Sequence, residues 1–256
     1  MNTDIRAIFF DLGGTFRILH RNEPYSDKAR RRIAQLCGTW MDPGSFHALL
    51  EMRYELYRDW VLKHMCEAPE EVLWTRWLAP EMDRERIAAA ADELTYLYRQ
   101  AKGERLVVEG GVETVKELCR RGYVLGIISD LVGTREIDEW LDRDGLRGYF
   151  KAVQQSSVTL IRKPHPAIYY YALREAGAQA ETSAFVGDNL ARDILGAKAV
   201  GFGMTVAVEY PDMPALNPSP ETMPDAVITG FAQLLDLFPA GGRVNESRLK
   251  GGAEQS

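Results

Sequence analysis

Beyond Lys102 the chain alternates short apolar runs with amphipathic stretches, and this alternation limits the possible folds more than any other feature. Helical spacing over residues 112–121 stops at Gly122, and residues 123–128 follow as a bare apolar strand. Further helical patterns cover 134–141, 166–176 (closed by Gly177), 189–200 and 231–238. Between them lie strand patterns at 150–154, 183–186, 204–208 and 225–228. Strands that are apolar on both faces and joined by helices predict a parallel sheet covered on both sides. One more such strand, residues 5–10, stands apart near the N-terminus. Between it and the alternation, residues 26–102 are helical in pattern, with Phe46, Leu49, Leu50, Tyr54 and Tyr57 at helical spacing. Pro43, Pro69 and Pro80 divide that stretch into about four helices. The expected architecture is an α/β fold. Its Rossmann-like, three-layer parallel-sheet core comes from residues 1–16 and 105–239, with an all-helical domain inserted at 17–104. The Gly-rich, polar tail 240–256 is expected to be disordered.

Ligands of such sheets bind beyond the carboxyl ends of the strands. The first strand runs into Asp11, the strand 123–128 into Ser129-Asp130, and the strand 183–186 into Gly187-Asp188. Arg162-Lys163-Pro164 stands just ahead of another helix. Two carboxylates, a hydroxyl and an ammonium therefore converge on one edge. The carboxylates suit Mg²⁺, a hard cation that prefers oxygen ligands. The hydroxyl and the lysine suit phosphoryl oxygens, and one carboxylate could attack phosphorus. Each residue alone has a plainer reading: a strand-end Asp caps a helix, a Ser bonds to nearby backbone, a Lys is solvated. It is their joint order that points to phosphoryl transfer.

Composition narrows the partners. The net charge of −6 and pI near 5.4 argue against nucleic acid as a partner. No apolar run reaches the roughly 18 residues that a membrane span needs. The start lacks a basic segment followed by a long apolar stretch, so no signal peptide is read and a cytoplasmic protein is expected. Cys37, Cys66 and Cys119 are far apart and odd in number, which fits reduced thiols. Arg17 and His20 read as solvated linker residues and His165 as a loop residue. Trp74, Trp77, Tyr96 and Tyr98 read mainly as core of the helical insert.

The stretches "FFDLGGT", "GIISD", "RKPHPAIY" and "FVGDNLARD" resemble the four ordered motifs of the haloacid dehalogenase-like hydrolase superfamily. The resemblance covers residues 5 to about 238, and the helical insert lies where that superfamily carries a mobile cap. It implies that Asp11 is the nucleophile and a Mg²⁺ ligand. It also implies that Ser129 and Lys163 act on the phosphoryl group, with Asp130 and Thr15 among the residues that bind substrate. Asp188 and Asp193 would hold the metal, together with the backbone carbonyl of Gly13. The implied substrate is a small phosphorylated or otherwise activated metabolite, and the implied assembly is a monomer or homodimer.

The sequence departs from this pattern at one position. Phosphatases of the superfamily read Asp-x-Asp-Gly-Thr, and the second Asp serves as general acid and base. Here that position is Gly13. Glycine keeps a carbonyl for the metal and removes the proton shuttle, help typically worth about 10²–10⁴-fold. Three readings follow from the resemblance: a phosphatase or phosphotransferase with weakened acid–base catalysis; a non-catalytic relative that binds a phospho-ligand or protein; or a phosphonoacetaldehyde hydrolase-like or dehalogenase-like enzyme. A Schiff-base lysine for the phosphonoacetaldehyde hydrolase-like reading would come from Lys28, Lys63 or Lys102.

Overall fold

The computed structural model describes residues 4–240, so residues 241–256, nearly all of the expected disordered tail, lie outside the described residues. The strands are β1 (Ala7–Phe10), β2 (Arg17–His20), β3 (Glu104–Val107), β4 (Val124–Ser129), β5 (Phe150–Gln155), β6 (Ser183–Gly187), β7 (Met204–Val208) and β8 (Ala226–Ile228). The helices are α1 (Glu23–Cys37), α2 (Pro43–His64), α3 (Glu70–Val72), α4 (Arg84–Ala89), α5 (Ala91–Ala101) and α6 (Gly111–Arg120). They continue with α7 (Glu136–Arg143), α8 (Ser156–Thr159), α9 (Pro166–Ala176), α10 (Leu195–Val200) and α11 (Leu234–Leu237).

Six strands form one sheet in the order β5-β4-β1-β6-β7-β8, and every neighbouring pair is parallel. Side chains alternate between the faces of a strand, which explains why β1 is apolar throughout. Ile8 and Phe10 enter one core with α6, α7 and α11, while Ala7 and Phe9 enter another with α9 and α10. The same alternation splits Leu125 and Ile127 from Ile128 in β4, and Ala184 and Val186 from Phe185 in β6. Each of the larger side chains, Ile, Leu, Val and Phe, contributes about 1.5–3 kcal/mol on full burial. The central position of β1 requires a gap on β4. A Cβ at Gly126 would run into the Phe9 ring, so only glycine leaves room for that ring beside its neighbour strand.

Helices α1–α5 bury a separate apolar cluster around Phe46, Leu50, Tyr57, Trp74, Leu94 and Tyr98. Trp74 donates its indole N–H to Thr95 Oγ1 at 2.9 Å, satisfying the one polar atom that its burial would strand. This helical cap is not all-helical at its edges. β2 pairs antiparallel with β3, from Arg17↔Val107 to His20↔Glu104, so the chain enters and leaves the cap through one small ribbon. Arg17 is therefore no solvated linker residue. Its guanidinium is 2% exposed, meets Asp144 at 2.5 Å, donates to Arg105 O at 2.7 Å and lies over the Trp140 ring. His20 is exposed, as expected.

Some helix starts are shifted from the sequence reading, and the helix expected at 231–238 opens as a 3-10 turn, Phe231–Gln233, before α11. The helix expected at 134–141 begins at Glu136, after a loop. The helix expected at 189–200 opens as a π-helical turn, Leu190–Ile194, before α10. There Asn189 caps from outside, accepting the Arg192 N–H at 3.0 Å. His165 likewise serves as the cap of α9, accepting the Ala167 N–H at 3.2 Å. Among the described residues no helix is long and apolar enough to cross a membrane. Cys37, Cys66 and Cys119 are free thiols.

Candidate active site

Because β4, β1 and β6 are neighbours, their carboxyl ends deliver Ser129, Asp11 and Asp188 side by side. Asp11 donates its backbone N–H to Val186 O at 2.9 Å, which extends the β1–β6 ladder one step and fixes the carboxylate at the sheet edge. The chain then turns tightly: Leu12 O accepts the N–H groups of Phe16 and Arg17 at 2.9 and 2.7 Å. This turn needs Gly14, whose φ is +87° and whose missing Cβ would strike the Asp188 carboxylate. Thr15 is wholly buried in it and donates its hydroxyl to Asp188 Oδ1 at 3.3 Å.

Lys163 is buried and ties the site together. Its ammonium lies 2.7 Å from Asp11 Oδ1 and 2.7 Å from Asp193 Oδ1, and it donates to Ile128 O at 2.8 Å. Its backbone N–H donates to Asp130 Oδ1 at 2.9 Å. Asp193 in turn accepts the Asn189 N–H at 3.0 Å. Burial works to lower the Lys163 pKa, but Asp11, Asp193 and Asp130 outweigh it and hold the ammonium charged. Burial raises the Asp11 pKa, against the pull of Lys163. Burial, with Asp11 and Asp193 adding repulsion, pushes Asp188 up to about 7.

These carboxylates are what a hard cation would meet. Asp11, Asp188 and Asp193 each offer an oxygen within 4.8 Å of the others. One ammonium and the nearby Arg192 guanidinium oppose three acids, and the repulsion from Asp11 and Asp193 adds to burial in raising Asp188. An all-oxygen donor set with surplus negative charge fits a divalent cation of the Mg²⁺ type.

The structure thus brings Asp11, Lys163, Asp188 and Asp193 together, with Ser129, 2% exposed, at the adjoining strand end. The Thr15 hydroxyl faces Asp188, and the Asp130 carboxylate faces Arg162 at 3.6 Å and Arg192 at 3.8 Å. Both side chains are engaged in organising the site. Gly13 is exposed, and a Cβ there would meet no heavy atom within 4 Å. Lys28 and Lys63 are exposed, while Lys102 is held by Glu51 at 3.3 Å and lies over the Tyr54 and Tyr98 rings. Sequence reasoning missed Arg192, whose signal was its place in "GDNLARD" beside Asp193, and Glu67, a lone loop acid with no local signal.

Comparison with known proteins bears on the family and the fold. A family model described as haloacid dehalogenase-like hydrolase matches residues 5–201. The glyceraldehyde 3-phosphate phosphatase of Pyrococcus furiosus is 36% identical over 246 residues, covering 91% of this chain and 93% of its own. The phosphoglycolate phosphatase of Pectobacterium atrosepticum is 27% identical over 68% of this chain and 73% of its own. Among solved structures, the 2-haloacid dehalogenase of Pseudomonas syringae pv. Tomato DC3000 superposes with a TM-score of 0.65 at 25% identity. That match covers 90% of this chain and 96% of the other.

Proposed function

The chain belongs to the haloacid dehalogenase-like hydrolases, and on that premise we propose that it is a Mg²⁺-dependent phosphatase that carries phosphoryl on Asp11. The observation that carries this reading is the buried Lys163, bound at once to Asp11 and Asp193 beside Asp188 at the sheet edge. The relatives named for glyceraldehyde 3-phosphate and phosphoglycolate support a small phosphorylated metabolite as substrate. The cap, residues 17–104 in this reading, closes over the edge and excludes water during transfer.

Lys163 occupies Asp11 Oδ1, which leaves Oδ2 as the attacking atom. That oxygen bonds to phosphorus as the ester P–O bond breaks, and the electron pair leaves with the departing oxygen. Ser129 and Lys163 supply donors to the phosphoryl oxygens. When bound by Asp11, Asp188, Asp193 and the Gly13 carbonyl, Mg²⁺ supplies positive charge that offsets the charge on the transferred group. Water then attacks the phosphoryl-Asp11, releasing phosphate and restoring the carboxylate. Nothing at position 13 donates a proton to the leaving group or takes one from that water. Leaving groups that need little protonation are therefore favoured, and phosphoryl-Asp11 outlives its formation.

The test is turnover of phosphate esters and acyl phosphates with and without Mg²⁺, with acid-quenched protein checked for one phosphoryl group on Asp11. Metal-dependent turnover or labelling is expected, and neither appearing would sink the reading. Gly13 favours one second reading, a non-catalytic relative that binds a phospho-ligand; binding of phosphate with Mg²⁺ but no turnover by wild type or Gly13→Asp would support it. A dehalogenase-like reaction also dispenses with a proton on its leaving group, and halide release from a 2-haloacid is its assay.

A further inference from the structure

The cap reaches into the active-site loops at one point. α2 ends at His64, and Met65 turns the chain with φ of +51°. Cys66 then forms an antiparallel bridge to Ile161, just ahead of Lys163. Glu67 donates its N–H to Leu160 O and Arg162 donates its N–H to Met65 O, both at 3.0 Å. Leu160 also has a positive φ, +58°. Met65 and Leu160 are the only non-glycine residues with positive φ among the described residues, and each directly precedes a residue of this bridge, Met65 before Cys66 and Leu160 before Ile161. Backbone in the left-handed region is disfavoured for such side chains and persists where the surroundings overdetermine it.

The Glu67 side chain is fully buried there. One carboxylate oxygen accepts from the Tyr57 hydroxyl inside the cap. The other accepts from Arg162 and, at 2.9 Å, from the Ser156 hydroxyl, both outside it. From this second oxygen two chains of contact lead to the phosphoryl-binding residues. Ser156 Oγ accepts the Leu131 N–H at 2.9 Å, two residues beyond Ser129. Arg162 faces Asp130 at 3.6 Å, and Asp130 holds the Lys163 N–H at 2.9 Å. Val132, on the same loop as Leu131, packs into the apolar cluster of the cap, and Glu70 accepts the Thr134 N–H at 2.7 Å. The loop carrying Ser129 is thus held on one side by cap residues.

We propose that Glu67 is a positioning residue, a cap carboxylate that holds the Ser129 loop and the Lys163 loop in register through Ser156 and Arg162. Its contacts with both loops exist only with the cap seated, so cap closure and assembly of the phosphoryl-binding groups become one event. The catalytic consequence rests on the phosphatase reading above; the structural claim about the two loops does not.

The experiment compares wild type, Glu67→Gln and the double variant Glu67→Met/Arg162→Met with Mg²⁺. It measures p-nitrophenyl phosphate turnover, thermal unfolding and hydrogen exchange of peptides spanning residues 130–135 and 160–164. Glu67→Gln is expected to lower kcat about 10–100-fold, as loss of a supporting partner does at comparable sites, with KM little changed. Exchange is expected to speed up at both loops. The double variant removes both buried charges, so it is expected to regain thermal stability but not kcat. Unchanged exchange at the two loops overturns the proposal, as does recovery of kcat together with stability. If wild type neither turns over the ester nor acquires phosphoryl on Asp11, the phosphatase reading fails on its own, and the exchange measurement still decides whether Glu67 holds the loops.

Discussion

Restoring a carboxylate at position 13 separates a site that lacks one group from a site that does not assemble. The local structure accepts the change: a Cβ at Gly13 meets nothing within 4 Å, the residue is exposed, and its φ lies outside the left-handed region. Removing a glycine where no strain results stabilises by about 0.4–1 kcal/mol, through the unfolded chain. At about 2–4 °C per kcal/mol for a domain near this size, Gly13→Asp should melt about 1–4 °C higher, less any repulsion from the nearby acids. General acid–base help of about 10²–10⁴-fold corresponds to about 2.7–5.4 kcal/mol of barrier at 1.36 kcal/mol per tenfold. The gain should depend on the leaving group. With an alkyl phosphate, both kcat and kcat/KM should rise across that range. With p-nitrophenyl phosphate, whose leaving group needs little protonation, kcat/KM should move little. There kcat should still rise, because release of phosphoryl-Asp11 gains a base. Steady-state kinetics with acid-quench labelling read both steps, and Gly13→Asn supplies equal bulk without a titratable group. If Asn matches Asp, or if folded Gly13→Asp gains nothing with either ester, the assignment of a missing proton shuttle is wrong.

Lys163→Met should abolish turnover and destabilise the fold by about 3–5 kcal/mol in chemical denaturation, because it leaves buried Asp11 and Asp193 without their cation. Saturating Mg²⁺ at about a hundred times its Kd should stabilise wild type by about 2.7 kcal/mol, read as a higher melting temperature; the increment should vanish in Asp188→Asn. His47 lies 3.9 Å from Glu51, with Arg30 and Lys102 nearby and the Tyr98 ring against it, and burial lowers its pKa from 6.5. The unfolded chain therefore takes up a proton that the folded cap resists, so stability is retained above about pH 6.5 and lost as pH falls below it. Denaturation from pH 7.5 to 5 should show a shallower decline in His47→Gln, and an unchanged slope would reject that source.

What was legible in the sequence was whatever a short window encodes. β1, β4 and β6 are buried on both faces, so their apolar runs stand out without any knowledge of their neighbours. Asp11 and Asp188 follow such runs directly, which marks them as strand-end groups. Arg17 escaped because its partner Asp144 is 127 residues away, and a charged side chain carries no local sign of burial. Pairing of β2 with β3 was hidden for the same reason, since the helical cap intervenes. Glu67 was invisible as a positioning group because Arg162, its partner across the cap–core contact, is 95 residues away. The π-helical opening at Leu190 follows from Asn189 and Asp193 bonding locally, a contest that helix propensity alone does not settle.

The ribbon of β2 and β3 also bears on how such a chain could change over time. His20 and Glu104 are directly paired, so everything between them departs from and returns to nearly one point in space. A segment with that property behaves as a module: it can be lengthened, shortened or exchanged while the sheet and Asp11 keep their positions, so long as its replacement supplies a partner for Ser156 and Arg162 where Glu67 now stands. Joining position 20 to position 104 through a short turn would ask almost nothing new of the ribbon itself. Such a scaffold can explore new substrates by replacing what hangs from the ribbon, without rebuilding the chemistry beneath it.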